Sequence, residues 1–258
     1  MASCLRIEKH DTGIRTLILD KPPVNALGQE LVAAIHEAAG ALREDADARV
    51  LIVRSAGKHF CGGADLKERQ GMTEEQVRAF VPRLAGAVRA VAELPFPMIA
   101  SVRGAALGGG CELALACDLR VLAQDATIGL RETALAILPG AGGTQRLPRI
   151  AGVARAKRWI FTAKLFDAAE AKADGVADEV VPAAALDDAA LTVAETIAAN
   201  GPIAVRLAKR AIEGGFDLTL ADGLSLEWQC YEGVLGTTDR EEALRAFAEK
   251  RAPKFEGR

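Results

Sequence analysis

The stretch Gly104-Ala105-Ala106-Leu107-Gly108-Gly109-Gly110-Cys111-Glu112 decides the reading of this chain. It sets a carboxylate just past three consecutive glycines in an otherwise apolar run. Glycines without Cβ atoms let a backbone approach a ligand closely and present its N–H groups. A helix that starts at such a loop adds unpaired amides and a positive dipole end. A second carboxylate, Glu132, precedes another glycine cluster, Gly140-Ala141-Gly142-Gly143. Two carboxylates beside amide donors suit proton transfer next to an oxygen that gains negative charge. The same glycines would also serve a plain strand-to-helix turn ending in a surface glutamate. The apolar neighbours Leu113, Ala114 and Leu115 favour the drier setting, in which the pKa of Glu112 rises.

Working outward, strand and helix patterns alternate. Leu5–Lys9 and Arg15–Asp20 read as a hairpin around Asp11-Thr12-Gly13. A helix is expected over Leu31–Leu42, a buried strand over Val50–Arg54, and a long helix over Thr73–Glu93 with Thr73 as N-cap. Pro95 and Pro97 end that helix, and a strand over Met98–Val102 leads into the glycine loop. A short helix over Glu112–Cys117 and a strand over Asp118–Ala123 follow. Past Pro182 the pattern turns helical: Leu186–Ala199, Pro202–Glu213, Leu218–Tyr231 and Arg240–Lys250. This order gives a layered α/β class, with an α/β core at 1–182 and a helical region at 183–258. A second small-residue loop, His59-Phe60-Cys61-Gly62-Gly63-Ala64-Asp65-Leu66-Lys67, follows the strand at Val50. Asp65 there could equally be an ordinary helix cap.

Composition narrows the function. The chain has 258 residues and a formal charge of −3, a balance that argues against general binding to nucleic acid. The five cysteines are scattered and form no C-x-x-C pair, so free thiols in a reducing compartment are expected. The three histidines form no metal-binding spacing, and no metal is expected. No G-x-x-x-x-G-K-[ST] or G-x-G-x-x-G nucleotide loop is present. Neither is a G-x-S-x-G elbow, although Ser3, Ser55, Ser101 and Ser225 are available. Cys111 has no histidine near it in sequence, so a packed small residue is expected. The stretch Met1–Leu19 lacks a signal-peptide core, and no apolar run is long enough to span a membrane. The expected address is cytoplasmic.

Four segments, FCGGADLKE, VRGAALGGGCELALACDLR, GLRETALAILPGAGGTQRLPR and LRAFAEKRAPKF, together resemble the crotonase (enoyl-CoA hydratase/isomerase) superfamily over nearly the whole chain. The resemblance implies a spiral of ββα units with C-terminal helices that drive a homotrimer or homohexamer. It implies an acyl-CoA thioester as substrate, with coenzyme A part of that substrate and no separate cofactor. The residues matching the family's oxyanion hole are the amides of Ala64 and Gly109. Glu112 matches the residue that activates water for attack at C3, and Glu132 the residue that delivers a proton to C2. Ala64, Asp65, Leu66, Lys67 and Gly109 match substrate and CoA contacts, as do Phe247 and Lys250, often across a subunit boundary. A lysine also suits the phosphates of CoA on general grounds, and a solvated helix face is the competing reading for Lys250.

Both acids are present, which favours hydration of a trans-2-enoyl-CoA, with a methylglutaconyl-CoA hydratase or an isomerase as alternatives. The Gly140–Gly143 loop is expected to be mainly structural. Pro22–Leu27 resembles an acyl-CoA-binding stretch of several branches. Arg131 could recognise a carboxylate on a branched acyl chain; in an extended segment it would instead point away from Glu132 and pair with surface acids. Some relatives bind RNA through a lysine-rich early helix, but Gln29–Arg43 holds no lysine and one arginine, so RNA is not expected as a partner. The helical tail is expected to bury Leu220, Leu224, Trp228 and Tyr231 in the chain or between subunits.

Overall fold

The computed structural model describes residues 4–258. Residues 1–3, which begin the stretch read for a signal and include Ser3, lie outside the described residues. The strands are β1 (Leu5–Lys9), β2 (Ile14–Leu19), β3 (Val50–Ser55), β4 (Met98–Val102), β5 (Ala105–Leu107), β6 (Leu119–Ala123), β7 (Thr127–Gly129), β8 (Phe166–Asp167) and β9 (Glu179–Val181). The helices before Pro182 are α1 (Gln29–Arg43), α2 (Leu66–Gln70), α3 (Glu74–Ala92), α4 (Gly109–Ala116), α5 (Gly143–Ala151), α6 (Val153–Thr162) and α7 (Ala168–Ala173). After it come α8 (Leu186–Ala198), α9 (Pro202–Gly215), α10 (Leu220–Leu235) and α11 (Thr238–Ala248).

One sheet runs in the order β1-β2-β3-β4-β6-β9, and a small second sheet runs β5-β7-β8. The expected hairpin is present, with Leu5 opposite Leu19 and Lys9 opposite Arg15. From β2 onward the larger sheet is parallel. Parallel strands need crossovers and cover on both faces, and β2, β3 and β4 are accordingly buried at almost every position. α1 packs on α3, and α8 lies across β3, β4 and β6 through Leu186, Ala190, Ala194 and Ala198.

Local chemistry sets several helix starts. Thr73 caps α3 in a reciprocal capping box with Gln76. Thr219 and Thr237 cap α10 and α11 by accepting from the amides of Asp222 and Arg240. The short helix expected from Glu112 starts earlier, at Gly109, so two of the three glycines belong to its first turn. In the tail, Leu220 is 79% exposed and Leu224, Trp228 and Tyr231 are more than half exposed. They are not buried within the chain.

Candidate active site

The Cys61–Ala64 loop follows β3 and lies against β5, with the Cys61 amide donating to Ala105 O (3.0 Å) and the Leu107 amide to Cys61 O (2.9 Å). Ala64 is fixed from both sides: the Leu27 amide donates to Gly63 O (2.8 Å) and the Asp65 amide to Leu27 O (3.2 Å). Asn25, itself left-handed at φ 52°, anchors this loop with its side chain. Its Nδ2 donates to the carbonyls of His59 (3.1 Å) and Phe60 (3.0 Å), and its Oδ1 accepts from the Lys21 amide (2.7 Å). Asn25 lies in the Pro22–Leu27 stretch, where its fixed left-handed turn was not legible from sequence.

Gly108 turns the chain from β5 into α4 at φ 52°, a conformation glycine adopts without a Cβ penalty. Gly109 opens the helix, and its Cβ position lies 3.9 Å from the Ala64 nitrogen. Among the described residues neither the Ala64 nor the Gly109 amide has an acceptor. The fold therefore brings together the two amides expected from the sequence, and both are free to bind an oxygen.

Glu112 sits in the first turn of α4 and is only 2% exposed. Its Oε1 accepts from the amides of Ala141 (2.7 Å) and Gly143 (2.8 Å). The Gly140–Gly143 loop, expected to be mainly structural, thus supplies the donors that orient this carboxylate. Burial raises the pKa of Glu112; the two amide hydrogen bonds and the positive charge of Arg146 work in the opposite direction. Glu132 opens a 3₁₀ turn over Glu132–Leu135. Its Oε1 faces Gly108, 3.0 Å from that residue's Cβ position, and its Oε2 is buried with no hydrogen-bond partner among the described residues. Burial pushes Glu132 up to about 7, and the nearby charge of Glu112 acts in the same direction. Glu112 is tied to two amide donors that favour its ionised form against burial, whereas Glu132 has an unpartnered oxygen and retains a proton near neutrality. That division equips the pair for base and acid work.

Arg131 is exposed, but its segment is not extended, because Arg131 caps the 3₁₀ turn at φ −103° and ψ 5°. The expected pairing with surface acids is absent among the described residues. Cys111, Cys61 and Cys117 are buried free thiols whose pKa values burial pushes up, so none is poised as a nucleophile.

Asp65 caps α2 by accepting from the amides of Lys67 (3.1 Å) and Glu68 (3.2 Å), and Leu66 and Lys67 stand exposed beside the amide pair. Phe247 and Lys250 are not brought to this cluster by any hydrogen bond or ion pair among the described residues. Phe247 is 86% exposed. The tail after α11 runs to Arg49, which donates to Phe255 O (2.6 Å) just before β3, whereas Ala64 lies past the far end of that strand.

The family model described as Enoyl-CoA hydratase/isomerase matches residues 9–258. The chain is 48% identical over 252 residues to mouse "Enoyl-CoA hydratase domain-containing protein 2, mitochondrial", covering 95% of this chain and 85% of that protein. It is 44% identical over 257 residues to mouse "Methylglutaconyl-CoA hydratase, mitochondrial", covering 97% and 82%. The crystal structure of an enoyl-CoA hydratase from Bacillus anthracis superposes with a TM-score of 0.96 at 47% identity, over 99% of this chain and all of that one. The expected crotonase-type fold is therefore present. The expected cytoplasmic address does not stand, because these mouse relatives are named as mitochondrial proteins. With its family model, fold and relatives in agreement, the chain belongs to the enoyl-CoA hydratase/isomerase family.

Proposed function

We propose that this chain catalyses the reversible syn addition of water to a trans-2-enoyl-CoA, giving a 3-hydroxyacyl-CoA. The observation that carries this reading is the pair of neighbouring glutamates, Glu112 tied to two amide donors and Glu132 with an unpartnered buried oxygen, next to two unpaired amides. The thioester oxygen accepts hydrogen bonds from the amides of Ala64 and Gly109. Glu112 takes a proton from water as its oxygen bonds to C3. The C2–C3 π electrons move toward the thioester oxygen as an enolate, and Glu132 delivers a proton to C2. Each amide bond strengthens as charge builds on the oxygen, which lowers the barrier selectively. Coenzyme A enters as part of the substrate, its binding aided by the Ala64–Lys67 backbone, and no separate cofactor takes part. The name of the 44%-identical relative supports a branched substrate as the second reading. The single arginine of α1 gives little basis for binding a phosphate backbone.

The test is loss of enoyl absorbance with crotonyl-, hexenoyl- and 3-methylglutaconyl-CoA across pH 5 to 9. Hydration needs Glu132 protonated and Glu112 ionised. Turnover per KM is therefore expected to fall as pH rises through about 7, where Glu132 loses its proton. It should also fall on the acid side, at a pH above the ordinary glutamate range, where Glu112 gains one. The two limbs belong to the coupled pair. Double-bond migration without net hydration would replace this reading with an isomerase.

The exposed residues Leu220, Leu224, Trp228 and Tyr231 on α10 support assembly into a homotrimer or homohexamer, since large apolar patches on lone chains are rare. Light scattering is expected to give a mass of three or six chains, and a stable monomer would refute this.

A further inference from the structure

We infer that Arg146 is a positioning residue whose guanidinium holds the 141–143 turn in the shape that aims two amides at Glu112, and so selects Glu112 as the base of the pair. This rests on the hydratase reading above but concerns a residue that does not touch the reacting atoms. Arg146 lies on α5, one turn past the loop. Its Nη1 donates to Ala141 O at 2.9 Å, while the amide of that same Ala141 donates to Glu112 Oε1 at 2.7 Å. Ala141 is thus gripped at both ends, by the arginine and by the carboxylate. The guanidinium lies across Gly142: Nη1 is 2.0 Å from that residue's Cβ position, so any side chain there would displace it. Gly142 at φ 110° leads directly into Gly143, the second donor to Glu112. No carboxylate lies within ion-pair distance of Arg146 among the described residues. Burial works against the arginine's charge, and the charge of Glu112 supports it.

The charged groups around Glu112 are few. α5 supplies Arg146, the 3₁₀ turn supplies Glu132, and α4 itself supplies the Cys111 thiol. α3, packed against α4, presents Leu84 near Gly109, and Glu93 at its end acts on Arg146. Arg146 is the one cation that acts on Glu112 from this set. Removing it would loosen the donors and delete the charge together, and both changes favour a protonated Glu112.

The experiment compares Arg146→Gln and Arg146→Lys with the parent. For Arg146→Gln, kcat is expected to fall about 10- to 100-fold with KM changed less than about twofold, the range typical of lost outer-shell support. The acid limb should move up by about one pH unit. Arg146→Lys keeps the charge and should return the limb toward its parent position. A carboxyl titration of ¹³C-labelled glutamate by NMR, with Glu112→Gln fixing the assignment, reads the same shift without turnover. If no enoyl-CoA is hydrated, that titration still judges the arginine while the hydratase reading fails. An unmoved Glu112 titration in a folded Arg146→Gln protein overturns the inference. So does an equal, pH-independent loss in both variants.

Discussion

Glu132→Gln is expected to lower kcat for hydration by about 10³-fold, within the range for loss of a positioned general acid, while thioester binding is retained. The amide has nearly the shape of the carboxyl but cannot release a proton to C2. The same change should make the fold more stable above neutral pH. The carboxyl moves from an ordinary value of 4.5 to about 7 on folding. Such a group favours the fold while protonated, and that contribution is fully present below about 4.5 and lost as pH rises through about 7. The variant escapes the loss because glutamine does not ionise. At pH 8 it should exceed the parent by about 1–2 kcal/mol, a figure already reduced for the partial exposure of the site. At pH 4 the two proteins should melt together. Denaturant titrations at both pH values, beside a stopped-flow assay, check this. Parent-like turnover in the variant would remove Glu132 from its role as acid.

The second large effect belongs to Gly110→Ala. A methyl group there would lie 2.2 Å from Cys61 O and 2.7 Å from Cys61 Cβ. Cys61 cannot retreat, because its amide and its carbonyl both hydrogen-bond to β5 residues. α4 must therefore move outward, taking the Gly109 amide away from Ala64 and Glu112 away from the amides of Ala141 and Gly143. A stability loss of about 3 kcal/mol or more is expected from this overpacking, together with loss of most activity. Gly40→Ala supplies the control. That glycine lies in α1 with no atom within 4 Å of its Cβ position, and the change should stabilise by up to about 1 kcal/mol. Equal melting temperatures for the two variants would show that α4 does not need its close approach to the Cys61 loop.

Legibility followed the range of the interactions involved. The hairpin, α3 and β4 could be read from alternation, the Thr73 cap and the two prolines, because those signals act within a few residues. The start of α4 could not. Glycine is a poor helix former, so the run read as a loop, yet contact with Cys61, distant in sequence, selects glycine inside the first helical turn. The small sheet β5-β7-β8 was missed because its strands have only two or three residues and no room for a period. Glu112, Glu132 and the amides of Ala64 and Gly109 were read from residue type, spacing and resemblance. The partners of Glu112 were hidden, since a backbone amide leaves no trace in side-chain identity. Arg146 carried no signal for the same reason: its partner is the carbonyl of Ala141, a group every residue has.

Arg49 has a consequence for the order in which this chain can be completed. Its guanidinium holds the carbonyls of Ala198, 149 residues later, and Phe255, 206 residues later. During synthesis from the N-terminus, Arg49 and β3 emerge before either acceptor. The second clasp closes only after Phe255 has emerged, and contacts at such separation carry a loop-closure cost. A released chain truncated just before Phe255 should therefore keep a protected sheet while its C-terminal segment is more open to protease.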